Sequence, residues 1–268
     1  DLHSITTLYP PNTVFETVVM TLNIPPILDS MVATMEPTPV NSEITVNAYF
    51  RDPSDTHTAI FDWGDGTTSN GVVDEQTGME TYGSVTGAHI YSQPGLYSVS
   101  LTLTDRWGET ATINYRHVII YDPDGGQVSG GGTIQVAAGD WSSNPEASGK
   151  ASFSLNGKYN KGIPSGNVNL IFTEAKTQFK AEYLDYAVIG NGTAYLHGYA
   201  SIDKSSPDSE FMLVVQDGKI TGGEDTYRLQ VWDNLGMNKI FDNAPEAGDR
   251  INPDAFSISG GSIVIQVK

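Results

Sequence analysis

The chain has 268 residues, with 32 acidic against 14 basic side chains, a formal net charge of −18 and no cysteine. That length suffices for two ordinary domains, each able to bury a core. Such a charge repels nucleic acid and attracts divalent cations or basic partners, and the missing thiols exclude disulfides, zinc–thiolate sites and cysteine nucleophiles.

No run of eighteen apolar residues occurs, so insertion of a helix into a membrane is not expected. The chain opens at Asp1 without a basic-then-apolar leader and reads as a piece of a longer precursor. The 28 glycines and 14 prolines fit short strands joined by tight turns better than they fit helices.

In chain order, Phe15 to Leu22 reads as a first strand and Asn23 to Pro26 as a linker, because consecutive prolines cannot continue a sheet ladder. Ile44, Val46, Ala48 and Phe50 alternate with polar neighbours, as do Tyr97, Val99, Leu101 and Leu103. This two-residue period puts one face in a core and the other in water. Turn chemistry over Tyr121 to Gly126 marks a second boundary. Beyond it Phe211, Leu213 and Val215, then Tyr227, Leu229 and Val231, then Ile263, Ile265 and Val267 repeat the pattern. Gly131-Gly132-Thr133-Ile134 is echoed by Gly260-Gly261-Ser262-Ile263. Either the echo sets the first and last strands of one sandwich side by side, or it is a chance match of glycine turns. The periodicity gives an all-β protein in three segments: 1–26, a strand and linker; 27–121, a first domain; and 122–268, a second.

Asp62-Trp63-Gly64-Asp65-Gly66-Thr67 carries the most information. Asp-Gly favours a tight hairpin turn, and Trp63 is an anchor for a sandwich core. Around it, in order, stand Phe50-Arg51-Asp52-Pro53, His89-Ile90-Tyr91, Pro94-Gly95-Leu96-Tyr97-Ser98-Val99 and Leu103-Thr104-Asp105. This series resembles the PKD (polycystic kidney disease) domain over residues 27–121. The resemblance implies an immunoglobulin-like β-sandwich of secreted or cell-surface proteins. The stretch between Gly66 and His89 is longer than the family pattern and is acidic at Asp74, Glu75 and Glu80. Residues 122–268 resemble the β-rich domain that often follows PKD modules at the C-termini of bacterial secreted proteins, through Lys158-Tyr159-Asn160-Lys161-Gly162, the run from Asp225 to Asp233, and Phe241-Asp242-Asn243. A second sandwich, jelly-roll-like or similarly antiparallel, is the expectation there.

Calcium takes six to eight oxygen donors from carboxylates, carbonyls and water. Asp52, Asp55, Asp62 and Asp65 fall near strand ends of the first domain. In calcium-binding PKD domains, carboxylates on the matching loop and strand hold one ion, so the resemblance points first to Asp52 and Asp62. Asp217 and Asp225 offer carboxylates beside flexible glycines in the second. All six also suit ordinary turns and caps. Sugar stacking needs solvent-facing aromatics; the candidates are Trp141, Tyr159 and Trp232, with Tyr183, Tyr186, Tyr195 and Tyr199 in the wider set. The five histidines show no two-ligand spacing and no Gly-x-Ser-x-Gly elbow appears, so no catalytic residue is assigned.

The sequence therefore reads as a non-catalytic, calcium-stabilised structural or adhesive module pair. Its expected partners are other domains of the same precursor and an extracellular polysaccharide or surface protein, with no nucleic acid. The alternative is a carbohydrate-binding module of an extracellular polysaccharide-degrading enzyme.

Overall fold

Alternating β-branched and polar residues give strands almost everywhere that the structure, a computed structural model, describes: residues 3–4, 19–20, 23–34, 36–52, 56–75, 82–204, 208–233, 236–248 and 256–267. The strand expected over Phe15 to Leu22 lies outside these residues except for Val19 and Met20, and Asp55 lies outside them altogether. The chain divides into two units. One comprises 1–33, 45–89 and 98–116; the other comprises 34–44, 90–97 and 117–268.

The strands of the first half are β1 (His3–Ser4), β2 (Val19–Met20), β3 (Ile27–Ala33), β4 (Thr38–Pro39), β5 (Glu43–Arg51), β6 (His57–Asp62), β7 (Thr68–Asn70), β8 (Val72–Asp74), β9 (Tyr82–Ile90), β10 (Gly95–Asp105) and β11 (Thr110–Tyr121). β1 and β2 form a two-stranded pair. The others form a four-stranded sheet in the order β3-β5-β9-β8 and a five-stranded sheet in the order β4-β11-β10-β6-β7, the immunoglobulin-like arrangement. The alternation read in the sequence is realised directly. Val46, Ala48 and Phe50 of β5, Ala59 and Phe61 of β6, Val85 of β9 and Val99, Leu101 and Leu103 of β10 are all buried. Their burial, at roughly 1.5–3 kcal/mol per large side chain, drives formation of the sandwich.

In the second half, β12 (Gln127–Val136), β13 (Gly149–Asn160), β14 (Ile163–Phe172), β15 (Thr177–Gly190), β16 (Thr193–Ile202), β17 (Ser209–Gln216), β18 (Thr226–Trp232) and β19 (Lys239–Asp242) follow one another, and β20 (Gly260–Gln266) returns beside β12. A one-turn helix, α1 (Gly218–Thr221), joins β17 to β18. The winding is therefore an up-and-down meander of nine antiparallel strands, where a jelly roll would need Greek-key crossovers. The reason is local. Hairpins as short as Lys161-Gly162 and Asn191-Gly192, both residues of each at positive φ, match the twist of the strands they join and leave no chain for a crossover.

The sheet curls around one apolar core to which both edge strands contribute, Phe241 from β19 and Ile263 and Ile265 from β20, with Phe153, Phe172, Phe179, Phe211 and Tyr227 between them. β17 and β18 are buried on both faces. Their outer side carries a second cluster of Tyr186, Val188, Met212, Val214 and Trp232, with Leu96, Ile119, Tyr121 and Tyr195 packed against it.

Candidate functional site

The Asp62–Thr67 turn is built as its residue types require. Trp63 is fully buried, stacks on Phe61 at 5.1 Å and on His89 at 4.8 Å, and donates its indole N–H to Ser69 Oγ at 3.0 Å. Gly64, at φ +74°, approaches β10 so closely that a Cβ would lie 2.5 Å from the carbonyl oxygen of Ser98, so only glycine fits. Asp62 Oδ1 accepts the Gly64 amide at 2.9 Å. Asp65 accepts the amide and hydroxyl of Thr67 and, at 2.8 Å, His89 Nε2. Burial alone would raise the Asp65 pKa, but the bonds from Thr67 and His89 outweigh it and hold the carboxyl below its ordinary range.

Asp52 lies at the other end of β6, where His57 Nε2 faces its Oδ2 at 3.0 Å. His57 and Asp62 open and close β6, and at about 3.3 Å per residue a strand separates them by roughly 16 Å. Asp52 and Asp62 therefore stand toward opposite ends of β6. Glu75, outside the expected ligand set, faces the other nitrogen of the same imidazole.

In the second unit, Asp217 caps α1 through the Lys219 amide at 3.0 Å and accepts the amide of Ile265 on β20 at 3.0 Å. Asp225 accepts the amides of Gly218 at 2.8 Å and Ile263 at 2.7 Å. Both oxygens of each carboxylate are thus engaged with backbone. Among the described residues no group of three or more histidine, aspartate or glutamate side chains is arranged to hold a metal ion.

Two of the three first-choice sugar platforms face inward. Trp141 is 2% exposed and tilts on Phe241, and Trp232 is 4% exposed within the outer cluster. Tyr159 is half-buried and stacks on Tyr121 at 4.6 Å, and burial pushes its pKa up to about 12. Trp141 and Trp232 therefore offer no open ring face to a sugar.

Two members of the wider set remain on the surface. Tyr183 on β15 is 51% exposed and stacks on its cross-strand neighbour Tyr199 of β16 at 5.2 Å. The next pair along the same face is Tyr186 and His197, at 4.9 Å with planes 8° apart. Glu210 Oε1 lies 3.2 Å from His197 Nε2, and Asp185 Oδ2 lies 3.2 Å from Nδ1, an ion-pair distance off the hydrogen-bond direction. Burial would lower the His197 pKa, but the two carboxylates outweigh it and raise it. Glu182 completes the row, accepting from Ser201 Oγ at 2.8 Å and Lys180 Nζ at 3.2 Å. Sequence reasoning missed His197, Asp185 and Glu210. A signal was present in two adjacent strands that each mix tyrosines with charge.

A buried polar knot lies on β18 and β19. Asp242 receives Nε and a terminal nitrogen of Arg228 at 3.2 Å each, Gln230 Nε2 at 2.9 Å, Lys239 Nζ at 2.7 Å and the Ala244 amide at 3.0 Å. These bonds satisfy a guanidinium only 1% exposed, and the knot is structural.

The two-sheet sandwich with its buried turn tryptophan defines the first half as an immunoglobulin-like module. Residues 23–119 match the family model for the PKD domain. No curated protein matches the chain. Among solved structures, a carbohydrate-binding module of the β-sandwich superfamily, described for promiscuous specificity, aligns over 91% of this chain and 97% of its own at 14% identity and a TM-score of 0.32. The ectodomain of mouse nectin-like molecule 4 aligns over 97% of this chain and 70% of its own at 10% identity and a TM-score of 0.34. An uncharacterised protein of Listeria monocytogenes EGD-e, in complex with glucose, magnesium and calcium, aligns over 78% of this chain and 18% of its own at 9% identity and a TM-score of 0.26. Among the described residues no helix is long and apolar enough to cross a membrane.

Proposed function

We propose that the chain is a non-catalytic module pair of a larger secreted or cell-surface protein. In this reading the PKD domain is a stiff spacer and the second sandwich presents a contact face for an extracellular polysaccharide. The observation that carries it is the half-exposed Tyr183 ring, paired with Tyr199 and bordered by Glu182, Asp185 and Glu210. An aromatic ring offers its face to the apolar side of a sugar, and carboxylates beside it accept hydrogen bonds from hydroxyls. Asp185 and Glu210 are both oriented on His197, which suits a fixed binding surface better than acid–base chemistry. Affinity electrophoresis through gels containing neutral polysaccharides tests the proposal, with Tyr183→Ala as the variant that loses retardation.

Asp52, Asp62, Asp65, Asp217 and Asp225 each accept from protein donors. A carboxylate oxygen that accepts one hydrogen bond keeps a second lone pair for an ion.

A further inference from the structure

The imidazole of His57 is wholly enclosed and has a carboxylate on each of its two nitrogens. Asp52 Oδ2 lies 3.0 Å from Nε2, and Glu75 Oε2 lies 3.0 Å from Nδ1 with Oε1 at 3.2 Å. Asp52 comes from the loop after β5, Glu75 from the end of β8, and the Phe50 ring of β5 covers the imidazole at 4.7 Å. The backbone amide of His57 also donates to Glu75.

A neutral imidazole carries one N–H and one bare lone pair. Whichever tautomer forms, one nitrogen would set its lone pair against a carboxylate oxygen inside the domain. Only the doubly protonated ring donates in both directions. We propose that His57 is a locked imidazolium and that the Asp52–His57–Glu75 triad is a pH-dependent latch. The latch ties the loop after β5 and the end of β8 to the start of β6. With the proton bound the triad carries one net negative charge; without it, two carboxylates face each other across a ring that pairs with only one of them.

The direction of the titration agrees. Burial alone would lower the pKa, and the bonds and charges of Asp52 and Glu75 more than reverse that, leaving it above its ordinary value. A raised folded-state pKa places the full stabilisation below the unfolded value of about 6.5 and removes it as pH rises through the folded value. The PKD unit is therefore tightest in mild acid and loosens toward alkaline pH. This latch lies within the PKD unit and does not rest on the proposed polysaccharide contact.

The test is an NMR titration of the ¹⁵N-labelled whole chain, following both ring nitrogens of His57, assigned by its disappearance in His57→Gln. The latch predicts both nitrogens protonated at pH 7, a midpoint above about 6.5, and a downward shift of that midpoint by roughly one pH unit or more in Glu75→Gln. It also predicts that the melting temperature falls between pH 6 and pH 8.5, and that His57→Gln removes at least half of this fall. A single neutral tautomer at pH 7, or an unmoved midpoint in Glu75→Gln, would overturn it. Should either variant fail to fold, the protonation state of the wild-type ring at pH 7 decides by itself.

Discussion

Asp217 reaches across 48 positions of sequence to accept the amide of Ile265 at 3.0 Å, and Asp225 does the same for Ile263 at 2.7 Å. β20 is the last strand of its sheet, and an edge strand offers unpaired amides to any passing chain. Here two carboxylates from the β17–β18 connection occupy those amides. Two residues that read as candidate metal ligands in the sequence cover this edge.

Replacing Asp217 with Ala leaves the buried Ile265 amide without its acceptor and should cost about 1–3 kcal/mol, read from urea denaturation. The Asp217→Ala/Asp225→Ala double variant should in addition self-associate through the uncovered strand, visible as a larger mass by light scattering.

Trp63→Ala should cost about 3–5 kcal/mol by emptying the centre of the PKD core. Trp63→Phe keeps an aromatic ring against Phe61 and His89 but loses the bond to Ser69, and should be the milder change by at least 1 kcal/mol or so. Chemical denaturation of both variants separates packing from hydrogen bonding.

Asp242 contributes to the acid behaviour of the second unit. Burial raises its pKa, but bonds from Arg228, Lys239, Gln230 and Ala244 outweigh that and hold it below the usual carboxylate range. A depressed folded-state value gives stability that is present above the unfolded value of about 3.9 and lost as pH falls through the folded one. Melting curves between pH 2 and 6 should show this loss, flattened in Asp242→Asn. Asp242→Ala, which removes the carboxylate paired with the buried Arg228 guanidinium, should cost about 3–5 kcal/mol at neutral pH.

Calcium and chelator provide a direct comparison. A melting-temperature difference below about 2 °C between millimolar calcium and excess chelator, less than the shift that 1 kcal/mol gives in a protein of this size, would mean that the candidate aspartates hold no ion. A larger rise with calcium would place an ion at the loops.

Much of the scaffold was legible because it follows strict alternation. The run from Tyr97 to Leu103 foretold β10, and the Asp62–Thr67 turn foretold a buried Trp63. The glycine echo resolves in favour of neighbouring strands, with Gly131 opposite Ser262 and Gly132 opposite Gly261. The surface of the second unit was not legible. Two β-bulges in β15, between Ala181 and Tyr183 and between Leu184 and Tyr186, break the two-residue phase. Counting along the chain therefore cannot say which tyrosines point outward. The His57 triad was hidden for another reason: Glu75 lies 18 residues beyond His57, and only the sandwich brings the end of β8 to the start of β6.

The central claim is that the second sandwich binds glycan through the Tyr183–Tyr199 face. Affinity electrophoresis against a panel of neutral polysaccharides measures this most directly, with melting temperature as the control for folding. The account predicts retardation by at least one polysaccharide, weakened roughly tenfold by Tyr183→Ala while that variant still melts near wild type. Retardation that Tyr183→Ala leaves unchanged, or no retardation of the wild type at all, would contradict it.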